Sequence, residues 1–116
     1  MKDYKVAFKL DEQEYKAIFN LNVMEQIQDE YGSVKKWGEL TDAKSGEPNA
    51  KAIIFGFWAM MNEAIDIEND ENGENRPNFT LKQVGRIISR AGLQSSAQTL
   101  NNAVIEATKE DTPKNA

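Results

Sequence analysis

The stretch from Ala50 to Ile67 (AKAIIFGFWAMMNEAIDI) limits most what this chain can become. Asn49 precedes it as a helix N-cap. Ile53, Ile54, Phe55, Phe57, Trp58, Met60, Met61, Ala64 and Ile65 then cover nearly the whole circumference of a helix over its first turns. An amphipathic surface helix keeps one polar face. Here the polar residues gather only at the C-terminal end, so the spacing predicts a central helix with the rest of the chain wrapped around it. The apolar run from Ala52 to Met61 is far shorter than the roughly 20 residues that span a bilayer. No membrane role is expected.

The remaining segments supply a wrapping of mixed type. Tyr4, Val6, Phe8 and Leu10 alternate with Asp3, Lys5 and Lys9, the period of a half-buried strand. After the polar break Asp11-Glu12-Gln13, Tyr15, Ala17 and Phe19 alternate again, which predicts a β-hairpin. Asn22 and Glu25 have the spacing of a capping box for a helix carrying Met24, Ile27 and Tyr31, stopped by Gly32. Ser33 caps a short amphipathic piece, Val34 to Leu40, with Val34, Trp37 and Leu40 on one side. Residues 41–49 read as a loop, and so does the polar run from Glu68 to Asn78.

Thr80 and Gln83 form a second capping box, with Phe79 and Val84 at the staple positions. Leu81, Val84, Ile87, Ile88 and Ala91 make the buried stripe of that helix, and Gly92 ends it with Leu93 packed behind. Ser95 and Gln98 cap a last helix, along which Ala97, Leu100, Val104 and Ala107 recur. The expectation is α+β: one short N-terminal hairpin packed on a mainly helical body of about four principal helices. A single domain covers residues 1–107, and residues 108–116, which hold nothing apolar larger than Ala, form a disordered tail. Surface scaling for a chain of this mass buries about two-thirds of the unfolded area, enough for one core.

Composition removes whole classes of chemistry. The chain has no Cys and no His. Disulfides, thiolate nucleophiles, Cys or His metal sites and the Ser-His-Asp triad are therefore excluded. Carboxylates are the remaining catalytic material. Glu25 and Asp29 share a helix face, and a metal-dependent hydrolase built on such acids is one reading. Both read better as a solvated surface. Glu68, Asp70, Asn72 and Gly73 match positions 1, 3, 5 and 6 of a calcium loop, but Phe79 stands where the bidentate Glu belongs. Gly85 and Gly92 are too far apart for a phosphate loop. No catalytic residue, cofactor or metal site is expected.

Lys82, Arg86 and Arg90 are spaced four apart, and no acid occurs between Arg76 and Ile105. A helix-turn-helix DNA-binding regulator is the alternative function on this ground. Against it, the second helix would carry no base before Lys109, and the whole chain has a formal charge of -5. No nucleic-acid partner is expected. Trp37, Phe57, Met60 and Met61 exceed what four short helices need for a core, and they are the candidate partner-binding residues.

Taken in order, the hairpin, the segment FNLNVMEQIQDEYGSVKKW, the apolar helix AKAIIFGFWAMMNEA, the segment FTLKQVGRIISRAGL and a closing small-residue helix resemble the tail assembly chaperones of long-tailed phages and prophages. In that family a strand pair leads into a helix ending Tyr/Phe-Gly-Ser, here Tyr31-Gly32-Ser33. A later helix follows Thr-Leu-x-x-Val-Gly-x-(Leu/Ile)-(Ile/Leu), here Thr80 to Ile88. The resemblance covers Tyr4 to Ala107. It implies a non-enzymatic protein that binds the tape measure and tail tube proteins during assembly in the cytoplasm of the bacterial host and is left out of the mature virion. Self-association stays open. Many such chaperones are also made in a longer form by frameshifting near the end of the gene, and codons for Pro113-Lys114-Asn115 can contain a slippery heptamer.

Overall fold

The computed structural model describes residues 4–44 and 46–109, and of Tyr4 the backbone alone. The tail expected from Thr108 onward and the Pro113-Lys114-Asn115 site fall almost wholly on residues 110–116, outside the described ones. Among the described residues the order is β1 (Tyr4–Leu10), β2 (Gln13–Phe19), α1 (Leu21–Tyr31), α2 (Val34–Leu40), α3 (Ala50–Asn72), α4 (Leu81–Ala91) and α5 (Leu93–Thr108). The fold is α+β, a two-stranded antiparallel hairpin on a helical body.

The hairpin register runs from Tyr4 opposite Phe19 to Leu10 opposite Gln13. Phe8, Leu10, Ala17 and Phe19 are buried, while Lys5, Ala7 and Lys9 face out. Phe8 meets Phe57 of α3 edge-on, with ring centroids 5.1 Å apart. Ile18 is also buried, on the opposite face of β2. There Lys16 reaches Glu68 and Asn20 reaches Glu63, so the C-terminal half of α3 runs along that side. The outer face of the hairpin is thus covered at Ile18 alone, which explains an apolar residue at an outward position.

Asp11 and Glu12 form the two-residue turn, with φ of 53° and 69°. Hairpins of this length favour such turns because their twist matches the strands, but the conformation favours Asn-Gly. Asp tolerates it; Glu does so at a cost of order 1 kcal/mol. Glu12→Gly is expected to stabilise the protein by about 0.5–1 kcal/mol net of the added chain entropy. A urea titration should show a higher midpoint with an unchanged slope. An unchanged or lowered midpoint would mean that Glu12 stores no strain.

Local signals set most helix ends, with three corrections. α1 is capped by Asn20, not Asn22. The Asn20 Oδ1 accepts from the Val23 amide, and its Nδ2 donates to Glu63 at 2.7 Å. A cap fixed at both ends of its side chain prevails over one supported by sequence spacing alone, and Asn22 instead reaches Glu63 from within the helix. α5 begins at Leu93 with no side-chain cap. Gly92 (φ 97°) both ends α4 and starts α5, so Ser95 and Gln98 lie inside the helix. α3 continues to Asn72, five residues past the expected Ile67. Gly73 at φ 65° supplies its left-handed stop.

The Thr80–Gln83 capping box is present in both directions, as expected, and so are the caps by Ser33 and Asn49. The core gathers Phe8, Phe19, Val23, Ile27 and Trp37 with Ile53, Phe57, Met60 and Met61 of α3, and Val84, Ile88 and Leu100 of α4 and α5. α3 is central, although a stripe of it stays open.

Candidate interaction surface

The four residues expected to bind a partner are in the core. Trp37 is 2% exposed, Phe57 and Met60 0%, and Met61 1%. The indole N–H of Trp37 donates to the carbonyl of Ala52 at 3.0 Å, which pins α2 to the first turn of α3. Five helices and a hairpin enclose more than four short helices would, so nothing of these side chains is left over for a surface.

On α3 itself, the apolar residues that partly reach solvent lie one step round the helix, while Leu21 of α1 and Ile105 of α5 are more exposed, at 64% and 65%. Ile54, Phe55 and Trp58 are half-buried. Tyr31, Phe55 and Trp58 form a ladder of rings, with centroids 5.6 Å and 5.5 Å apart. Burial pushes the Tyr31 phenol above its usual pKa, opposed by the Lys51 ammonium. Beside Ile54, α4 brings Leu81, Lys82, Gly85, Arg86 and Ser89, and an open groove runs between the two helices with Lys51 at its edge. Leu81 belongs to the stripe expected to be buried, yet it is 46% exposed. It sits at the first position of α4, beyond the part of the helix that meets the core. In sequence, Phe55 and Trp58 cannot be told from Phe57 and Met60, because both pairs have helical spacing. The choice depends on which neighbours arrive.

The acidic run is not a free loop. Trp58, Asn62, Asp66 and Asn69 recur every three or four residues on α3 and hold the chain as it returns from Gly73. Asn69 bonds both the amide and the carbonyl of Arg76, at 3.1 and 3.0 Å. Asp66 accepts from Asn78 at 3.0 Å. Asn62 bonds the amide and carbonyl of Phe79, and the Trp58 indole donates to the same carbonyl. Glu68, Asp70 and Asn72 are helical, so alternate residues point to different sides and cannot converge on one ion. A polar run of this kind is visible in sequence; its folding back is not.

Glu68 joins this strap to the hairpin. It accepts from Lys16 at 3.0 Å and pairs with Arg76. The Lys16 hydrogen bond first, then the charges of Lys16 and Arg76, hold its carboxyl below the usual Glu range. A depressed acid stabilises the fold above its unfolded pKa and loses that contribution as pH falls through the folded value. Glu68→Gln should therefore lower Tm at neutral pH, and the gap from wild type should close in acid. A gap that stays constant with pH would place the effect in packing rather than charge.

The other acids and bases are dispersed. Glu25 and Asp29 are both exposed on α1. Among the described residues no group of three or more Asp, Glu, His or Cys side chains is placed to hold a metal ion, and no helix is long and apolar enough to cross a membrane. The helices α4 and α5 are joined through Gly92 alone. Lys82, Arg86 and Arg90 are exposed on α4, and Arg90 pairs with Asp11 at 3.3 Å. The outer positions of α5 are Gln94, Ser95, Gln98, Asn102, Ile105 and Glu106, which offer no cation to a phosphate.

The chain matches no family model, no curated protein and no solved structure. Function must therefore be argued from the order of its elements and from this surface.

Proposed function

We propose that the protein is a non-enzymatic tail assembly chaperone of a long-tailed phage or prophage. It binds the tape measure and tail tube proteins in the cytoplasm of the bacterial host and is absent from the mature virion. The observation that carries the reading is the serial agreement with that family's pattern. A strand pair leads into α1, which closes on Tyr31-Gly32-Ser33, and the Thr80–Ile88 segment is a capped helix after the apolar one. The open aromatic stripe of α3 supports it. A long helical client exposes apolar stripes, and a chaperone must offer a matching surface while staying soluble itself.

Co-expression with the tape measure protein tests the proposal. The client should move into the soluble fraction and co-purify. A client that stays insoluble, or purifies alone, would overturn it. Gene order gives an independent check, since a tail tube gene upstream and a very long coiled-coil gene downstream are expected. A mobility-shift titration addresses the DNA-binding alternative. Tight, strongly salt-dependent binding abolished by both Arg86→Ala and Arg90→Ala would favour the regulator instead.

A further inference from the structure

The groove between α3 and α4 has features that the fold does not require. A glycine inside a helix costs about 1 kcal/mol relative to alanine. At Gly56 the reason is clear, because the Trp37 ring lies where a side chain would go. Gly85 has no such reason. It sits mid-helix in α4 with no positive φ, and a Cβ there meets only Ile54 Cδ1 at 3.5 Å, an ordinary contact. The missing side chain leaves a notch that opens outward over Ile54. Leu81, Gly85 and Ser89 are one turn apart, so the trough follows α4 for about 12 Å.

The rim of the trough is basic. Lys82 and Arg86 stand along it on α4 and Lys51 on α3, and no acidic side chain lines it. This occurs in a chain with 19 acids against 14 bases. Lys51 pairs with Glu30 at 3.2 Å. Lys82 and Arg86 make no ion pair among the described residues.

We propose that this groove binds an amphipathic α-helix of a partner protein, its apolar ridge seated against Leu81 and Ile54 in the Gly85 notch and its flanking acids paired with Lys82 and Arg86. Both walls are helices whose backbone groups are bonded within themselves, so they offer no ladder to an extended strand. A helix arrives with its own backbone satisfied. The acidic flank follows from the cations, which fix orientation and exclude basic competitors. A nucleic acid fits less well, since it has no use for an apolar floor and would approach a molecule of charge -5. The inference deepens the chaperone reading and rests on it only for which partner supplies the helix.

The test uses the whole protein and a displayed library of peptides of about 18 residues, long enough to hold a helix. Each carries Leu at helical spacing, with flanking positions randomised over Asp, Glu, Lys, Arg and Gln. The selected binders should be enriched in acids on the flanks, and their amide shift perturbations should map to Ile54 and Leu81 through Ser89. Lys82→Glu with Arg86→Glu should weaken a selected peptide by about tenfold or more and select basic flanks instead. Gly85→Leu should abolish binding, whereas Gly85→Ala should raise the urea midpoint. If Gly85→Leu does not fold, the charge reversal at two exposed residues still decides. The proposal is overturned if no peptide is selected, if the flanks show no bias, if binders map elsewhere, or if short duplex DNA alone binds and the Arg86→Glu change removes it. The library contains no phage protein, so its failure and a failure of the co-expression experiment are separate results.

Discussion

Trp37→Ala is expected to destabilise the protein by about 3–5 kcal/mol, the range for truncating a fully buried Trp. Small domains have a total of about 5–15 kcal/mol, so the variant stands at the edge of folding. The cause is local and double. The indole fills the space between α2, α3 and Leu100, and its N–H bonds the Ala52 carbonyl. Losing it leaves a cavity and unfastens α2, a helix of 7 residues that cannot hold itself. Trp37→Phe retains most of the volume and should cost clearly less. Trp58→Ala, at a half-open position, should also cost less. Urea unfolding followed by far-UV circular dichroism gives the comparison. In Trp58→Phe, the remaining indole should emit at short wavelength and resist acrylamide quenching. A Trp37→Ala loss below about 1 kcal/mol, or ready quenching of that indole, would return Trp37 to the surface.

What the sequence reveals and what it hides divide along one physical line. The hairpin, the caps at Ser33, Asn49 and Thr80 and the stops at Gly32 and Gly92 depend on neighbours within a few residues. Period and capping chemistry expose them. The fate of α3 depends on what arrives from elsewhere. Its apolar residues surround it in sequence, yet Phe57, Met60 and Met61 go under the hairpin and the other helices while Phe55 and Trp58 stay half open. No spacing within α3 encodes that division. Asn20 over Asn22 is the same lesson in small, because both side chains bond Glu63, at least 41 residues away, and only Asn20 also accepts from a first-turn amide, that of Val23. The longer α3 was partly readable, since Gly73 is a stop signal of the same kind as Gly32. The strap held by Asn62 and Asn69 was not, because an Asn on a helix face says nothing about which backbone it will meet. The candidate surface is thus the least legible part: a notch at Gly85 and an exposed Leu81 gain meaning only once Ile54 is known to lie beneath them.

Gly56→Ala is the second large effect expected, and its sign sets packing against propensity. In an open helix the change would gain about 1 kcal/mol. At Gly56 the new methyl would sit 2.5 Å from Trp37 Cζ2 and 3.2 Å from Leu100 Cδ2. The ring cannot simply swing away. Its N–H is tied to the Ala52 carbonyl, one turn earlier on the same face of α3, so the indole lies across the helix at the height of Gly56. Either that bond breaks or α2 moves off as a unit. Overpacking of this type costs about 1–3 kcal/mol, which offsets the propensity gain at the low end of the range and exceeds it elsewhere. The net result should be a loss, in contrast to Gly85→Ala, where only propensity acts. A double-mutant cycle isolates the cause. With Trp37→Leu in place the methyl no longer meets a ring. Gly56→Ala should then be neutral or stabilising, and the pair should be coupled by about 1 kcal/mol or more. If the two changes add without coupling, the close approach of Trp37 to Gly56 is not what makes glycine necessary at this point of α3.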